Sequence, residues 1–180
     1  SEEMVFYYFE GFAQYMKKEN EAALQTFKKG VAQIKPDSDP NIVSDFYAVM
    51  GDILHEKGLE KQAFEAYDSC LHWRPDNLSA LNNYAYYLSL TKSDLKKAEL
   101  MSYKTIKKEP TNSTFLDTYA WILFLQGRYE EANTYIEQAI KNDSTPSGTL
   151  FEHAGDIYYQ AGKPEAALEA WQKALQLGNN

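Results

Sequence analysis

One cysteine, Cys70, stands in the 180 residues, so no intrachain disulfide can hold the fold and packing must do so. No apolar run approaches the length needed to cross a bilayer, which argues against direct membrane insertion. Positive charge is in short supply: 18 basic against 26 acidic residues give a net charge of -8. That balance argues against nucleic acid, whose binders carry a basic patch or stripe. Acidic membrane surfaces are disfavoured for the same reason. Catalytic signatures are missing as well: there is no phosphate-cradling glycine loop, no nucleophile elbow and no His-Glu-x-x-His spacing. His55, His72 and His153 fall on different predicted helices, so neither a metal site nor a cofactor is expected. Asp52 and Glu56 sit one helical turn apart, but acid-base work would need a closed, water-poor pocket to shift their pKa values. The chain is therefore read as non-catalytic.

What the sequence does contain is a unit of about thirty-four residues written five times. Gly11, Gly51, Ala85, Ala120 and Gly155 form one series of small residues, and Ala23, Ala63, Ala98, Ala132 and Ala167 a second. Within a unit the two lie twelve apart, or thirteen between Ala85 and Ala98. From unit to unit the step is thirty-four or thirty-five, except for forty at the first junction. Between Ser44 and Asp76, Tyr47, Met50, Gly51 and Leu54 recur at the spacing of one helical face. Gly58 supplies a break, Ala63, Tyr67, Cys70 and Leu71 resume the spacing, and Pro75 stops the second helix. Turns of two or three residues leave each pair of helices only antiparallel packing. One hairpin cannot bury both faces of its helices, so each depends on its neighbours.

Tyr47, Gly51, Gly58, Ala63, Tyr67, Cys70 and Pro75 in one unit resemble the signature of tetratricopeptide repeats. It recurs as Ala120, Gly127, Tyr129, Ala132 and Ala139, and again as Gly155, Gly162, Ala167, Trp171 and Ala174. The resemblance implies an all-α fold, an α-α superhelix or solenoid of about five antiparallel helical hairpins of bacterial type. The expected organisation is a single repeat domain over residues 1–180, with repeats near 4–37, 44–76, 77–112, 113–147 and 148–180. Two departures are local. The first unit lacks the turn glycine, and the third has an extra turn residue and puts Ser102 and Thr105 at core positions.

In this family the first helices of the hairpins line a concave side where a peptide or partner helix lies. At about 100° per residue, a stripe roughly 140° from the core face marks that side. Its candidate binding residues are Tyr8, Phe12, Tyr15, Asp45, Asp52, Asn82, Tyr86, Asp117, Trp121, Phe124, Glu152, Asp156 and Tyr159. No Lys or Arg falls on the stripe. The expected partner is accordingly a protein or peptide segment that is basic or neutral. Asp45, Asp52, Asp117, Glu152 and Asp156 would hold its cations, the rings would meet its apolar side chains, and Asn82 would hydrogen-bond its backbone.

Two other functions fit the same residues: carbohydrate or small-ligand binding, with Trp121, Tyr86 and Phe124 stacking on sugar rings, and a structural oligomerisation spacer. Residues 4–16 are apolar or aromatic on nearly every side. The expectation there is a fragment of a longer array, or a homo-oligomer formed through this N-terminal aromatic helix. The style of the units leans toward a bacterial cell-envelope protein.

Overall fold

The structure, a computed structural model, describes residues 2–178. Among these residues every regular element is an α-helix, and there are ten: α1 (Glu2–Met16), α2 (Asn20–Val31), α3 (Pro40–Glu56), α4 (Glu60–Trp73), α5 (Leu78–Thr91), α6 (Leu95–Lys108), α7 (Ser113–Leu125), α8 (Tyr129–Asn142), α9 (Gly148–Gln160) and α10 (Pro164–Leu177). They follow one another as hairpins in the register of the repeats. Two compact units result, Ser1–Asn83 and Tyr84–Asn180, with the boundary inside α5.

Each hairpin turn places one residue in the left-handed backbone region that ends a helix. Those residues are Lys18 (φ 62), Gly58 (φ 77), Lys92 (φ 57), Gly127 (φ 79) and Gly162 (φ 81). The two units without a turn glycine therefore make the same turn with a lysine. At the other end of the hairpins, Arg74 and Glu109 precede prolines and are pushed to φ -138 and -130, which stops α4 and α6. The following helix starts on a side-chain cap: Asn77 Oδ1 accepts from the Ala80 N–H, Asn112 Oδ1 from Phe115, and Ser147 Oγ from Leu150. Asp39 caps α3 in the same way with Pro40 as its first residue, so this helix begins four residues ahead of the expected repeat boundary at 44.

Small residues in the first helix are matched to rings in the second. A Cβ on Gly11 would stand 2.4 Å from Phe27, one on Gly51 2.6 Å from Tyr67, and one on Gly155 2.1 Å from Trp171. The helices approach until the ring covers the backbone, which is why the first small-residue series tolerates no large side chain. In the first unit Met4, Leu24, Phe27, Val43, Phe46 and Ile53 form the centre of the core. In the second, Leu116, Ile122, Leu123, Ile136 and Ile157 are fully buried. Ser102 and Thr105 are buried as their positions required; the Thr105 hydroxyl donates to the Ser102 carbonyl at 2.6 Å.

Candidate functional site

Within the first unit Tyr8, Phe12 and Asp45 are brought together, whereas Asp52 is held by residues off the stripe. The Tyr8 hydroxyl of α1 donates to Asp45 of α3 at 3.0 Å, and the Tyr8 ring packs on Phe12 at 4.7 Å. Asp52 accepts from the Tyr67 hydroxyl and, at 3.1 Å, from the Asn83 amide. Burial holds the Asp52 carboxyl above the ordinary carboxylate range, although both hydrogen bonds favour its ionised form. Tyr15 is pushed up by burial, then by the charges of Asp52 and Glu56. Asn82 is buried, and its Oδ1 has no partner among the described residues. It stands inside the protein rather than at a surface where a bound chain would reach it.

The second unit gathers its residues around a stack of rings. Trp121 lies nearly parallel to Phe124 at 4.8 Å and to His153 at 4.2 Å. His153 Nδ1 donates to Asp117 at 2.8 Å, and the Tyr86 ring is 6.0 Å from the imidazole. Tyr86, Trp121 and His153 belong to α5, α7 and α9, so first helices of three successive hairpins converge on one face of this unit. Burial raises the Tyr86 hydroxyl, and the charges of Asp117 and Glu152 add to the effect. Asp156 accepts from Trp171 Nε1 at 3.1 Å. Glu152 and Tyr159 are exposed on the same helix, Tyr159 at 57%.

Four of the five aspartate and glutamate candidates are thus hydrogen-bonded within the protein. The donors are mostly uncharged: a Tyr hydroxyl at Asp45, a Tyr hydroxyl and an amide at Asp52, an indole N–H at Asp156. Such bonds orient a carboxylate without cancelling its charge. Trp121 already stacks on two rings of the protein, which leaves a sugar little of the platform expected of it. Sequence reasoning passed over His153, which was weighed only as a metal ligand, and the anchors Tyr67, Asn83 and Trp171. A signal for two of these was present: Gly51-Asp52 and Gly155-Asp156 are each followed, fifteen residues after the Asp, by an aromatic that can donate. Among the described residues no group of three or more His, Cys, Asp or Glu is placed to hold a metal ion. No helix among them is long and apolar enough to cross a membrane.

An all-α array of hairpins in the register of these repeats is a helical-repeat scaffold for protein–protein interaction. Sequence profiles of the tetratricopeptide repeat match residues 44–77 and 120–180, together more than half of the chain. The chain belongs to the tetratricopeptide repeat family. It is similar to the type IV pilus assembly protein PilF of Pseudomonas aeruginosa, with 27% identity over 148 residues, 82% of this chain and 58% of that protein. It also resembles human tetratricopeptide repeat protein 13, with 30% identity over 134 residues, 71% of this chain. The chain spans 58% and 15% of the lengths of these two relatives. Among solved structures it shares its fold with MamA (41-end) from Desulfovibrio magneticus RS-1, with a TM-score of 0.78, 17% identity and coverage of 98% of this chain and 96% of that one. The structure of Pseudomonas aeruginosa PilF superposes with a TM-score of 0.77 at 19% identity, covering 99% of this chain and 78% of the other.

Proposed function

We propose that the first-helix face binds a basic or neutral, extended segment of a protein partner, in each unit through its acids and rings. The observation that carries this reading is the state of the carboxylates. Asp45, Asp52 and Asp156 are fixed by uncharged donors, so their negative charge stays on a face without Lys or Arg. A cationic side chain arriving there meets carboxylates already oriented, which lowers the ordering cost of binding. Exposed Glu152 and Tyr159 provide a carboxylate and a ring open to the partner from α9. The likeness to a pilus assembly protein supports placing the partner among components of the bacterial cell envelope.

The test is a basic peptide array and a glycan array screened side by side, followed by titration of the best peptides. Affinity should fall as salt rises, because exposed charges are screened over about 8 Å at physiological ionic strength. Glu152→Lys should weaken binding by about 1 kcal/mol or less per contact, with a larger loss when combined with Asp45→Lys. Binding that ignores salt and both charge reversals, or capture of glycans alone, would reject the proposal.

A further inference from the structure

When the five second helices are aligned on their shared alanine (Ala23, Ala63, Ala98, Ala132 and Ala167), α6 stands apart. Two residues after the alanine the other helices carry Gln25, Glu65, Thr134 and Glu169, whereas α6 carries Leu100, 55% exposed. Five residues after it the others carry Lys28, Asp68, Glu137 and Gln172, whereas α6 carries Tyr103, 48% exposed. Two residues before it Glu21, Glu130 and Glu165 occupy three of the other four helices, and α6 has Lys96. At 100° per residue, Lys96, Leu100, Tyr103, Lys104 and Lys107 share one arc of about 100°. The opposite side of α6, with Ala98, Met101 and Thr105, is buried in the hairpin.

This arc is both charged and braced. Glu99, the only acid of α6, is held by Arg128 and Gln126, from each of which it accepts at 3.0 Å. Among the described residues no carboxylate pairs with Lys96, Lys104 or Lys107. Tyr103 rests against Tyr119 at 6.1 Å, which in turn meets Tyr135 at 4.8 Å. Solvation explains lysines on an outer helix face. It does not explain a leucine and a tyrosine at the two registers that every sister helix fills with polar residues.

We propose that the outer arc of α6 docks an acidic amphipathic helix of a protein partner. Apolar side chains of that helix cover Leu100 and Tyr103 while its carboxylates meet Lys96, Lys104 and Lys107. Opposite charge selects the partner and an apolar pair anchors it, the division of labour found at helix-binding surfaces. An anionic lipid surface fits less well. The apolar side of α6 is locked into its hairpin and cannot roll into a membrane, and the chain as a whole carries a charge of -8. The surface lies on a second helix, so it is independent of the first-helix face, and the two prefer ligands of opposite charge.

A random peptide display library panned on the full chain, with counter-selection against Leu100→Glu/Lys104→Glu, tests the inference. Both substitutions are at exposed positions, and circular dichroism checks that the variant is folded. The peptides that separate the two proteins should carry Asp or Glu beside apolar residues spaced three or four apart. Their affinity should drop at least tenfold for Lys96→Glu/Lys107→Glu and stay unchanged for Lys29→Glu, a charge reversal at an exposed position of α2. Selected peptides that are basic or uncharged, or a failure to select any, would overturn the proposal. So would variant-sensitive binding to phosphatidylcholine vesicles containing phosphatidylserine without binding to the acidic peptides.

Discussion

The indole of Trp171 lies directly over the backbone of Gly155, so close that a methyl group there would stand 2.1 Å from the ring, while the indole N–H reaches Asp156 at 3.1 Å. One side chain thus fixes both the approach of α9 to α10 and the direction of a carboxylate on the candidate binding face. Gly155→Ala tests the first half. Helix propensity alone favours Ala over Gly by about 1 kcal/mol inside a helix. The contact should reverse that sign and cost about 1–3 kcal/mol through overpacking. Gly51→Ala should behave alike against Tyr67, where the added atom would lie 2.6 Å from the ring. Urea unfolding of either variant that shows a gain in stability would refute the packing argument.

The turns give the opposite kind of substitution. Lys18 and Lys92 hold φ 62 and 57, a conformation that costs a residue with a Cβ about 1 kcal/mol relative to Gly. The sister turns use Gly58, Gly127 and Gly162 at the same point, where an added Cβ would meet nothing within 4 Å. Lys18→Gly and Lys92→Gly should therefore each stabilise the chain by several tenths of a kcal/mol to about 1 kcal/mol. Gly127→Ala should destabilise it by a similar amount. Thermal melts of the three variants give the sign directly.

How far the sequence foretold these features differs between fold and site. The two series of small residues located the hairpins because a helix crossing has room for Gly or Ala and little else, and the rings over Gly51 and Gly155 are the visible cause. The missing turn glycine of the first repeat and the extra turn residue of the third looked like departures, yet Lys18 and Lys92 take the same backbone path. The binding face was harder to read. A stripe counted from 100° per residue gives the direction in which Asp52 and Asp156 leave their helix, but not that Tyr67 and Trp171 reach across from the next helix to hold them. Asn82 fell on the same stripe and is nonetheless buried. Helical periodicity carries no information about what lies against a face, and His153, one residue off the stripe, went unread as the ring stacked on Trp121 for that reason.

Cys70 should be chemically silent in the folded chain. It is fully buried, its Sγ lies 3.1 Å from the Ser44 hydroxyl, and the Asn77 amide donates to Ser44 Oγ at 2.9 Å. Burial pushes its thiol up to about 11, so the reactive thiolate is scarce at pH 8. Ellman's reagent at that pH should react only as fast as the first unit opens, and immediately once urea unfolds it. A native chain that reacts in seconds would show that the Ser44–Cys70–Asn77 joint is open.

Asp52 makes stability depend on pH with a definite sign. Burial is the largest influence on its carboxyl and raises it above the ordinary value of 3.8, while the bonds from Tyr67 and Asn83 pull the other way. The folded state therefore holds this proton more tightly than the unfolded chain does. The stability it contributes is complete below the unfolded value and is lost as pH rises through the folded one, so ionised Asp52 weighs against folding at neutrality. Asn at this position keeps an acceptor for the Tyr67 hydroxyl and never ionises. The stability of Asp52→Asn relative to the parent should accordingly increase as pH climbs from about 3 toward 7, and level off once the parent carboxyl is fully ionised. Paired urea titrations across that range measure the difference without interference from the other acids, which the two proteins share. A difference that stays flat or falls with pH would mean that the two hydrogen bonds outweigh burial, and that Asp52 is a carboxylate the fold prefers charged.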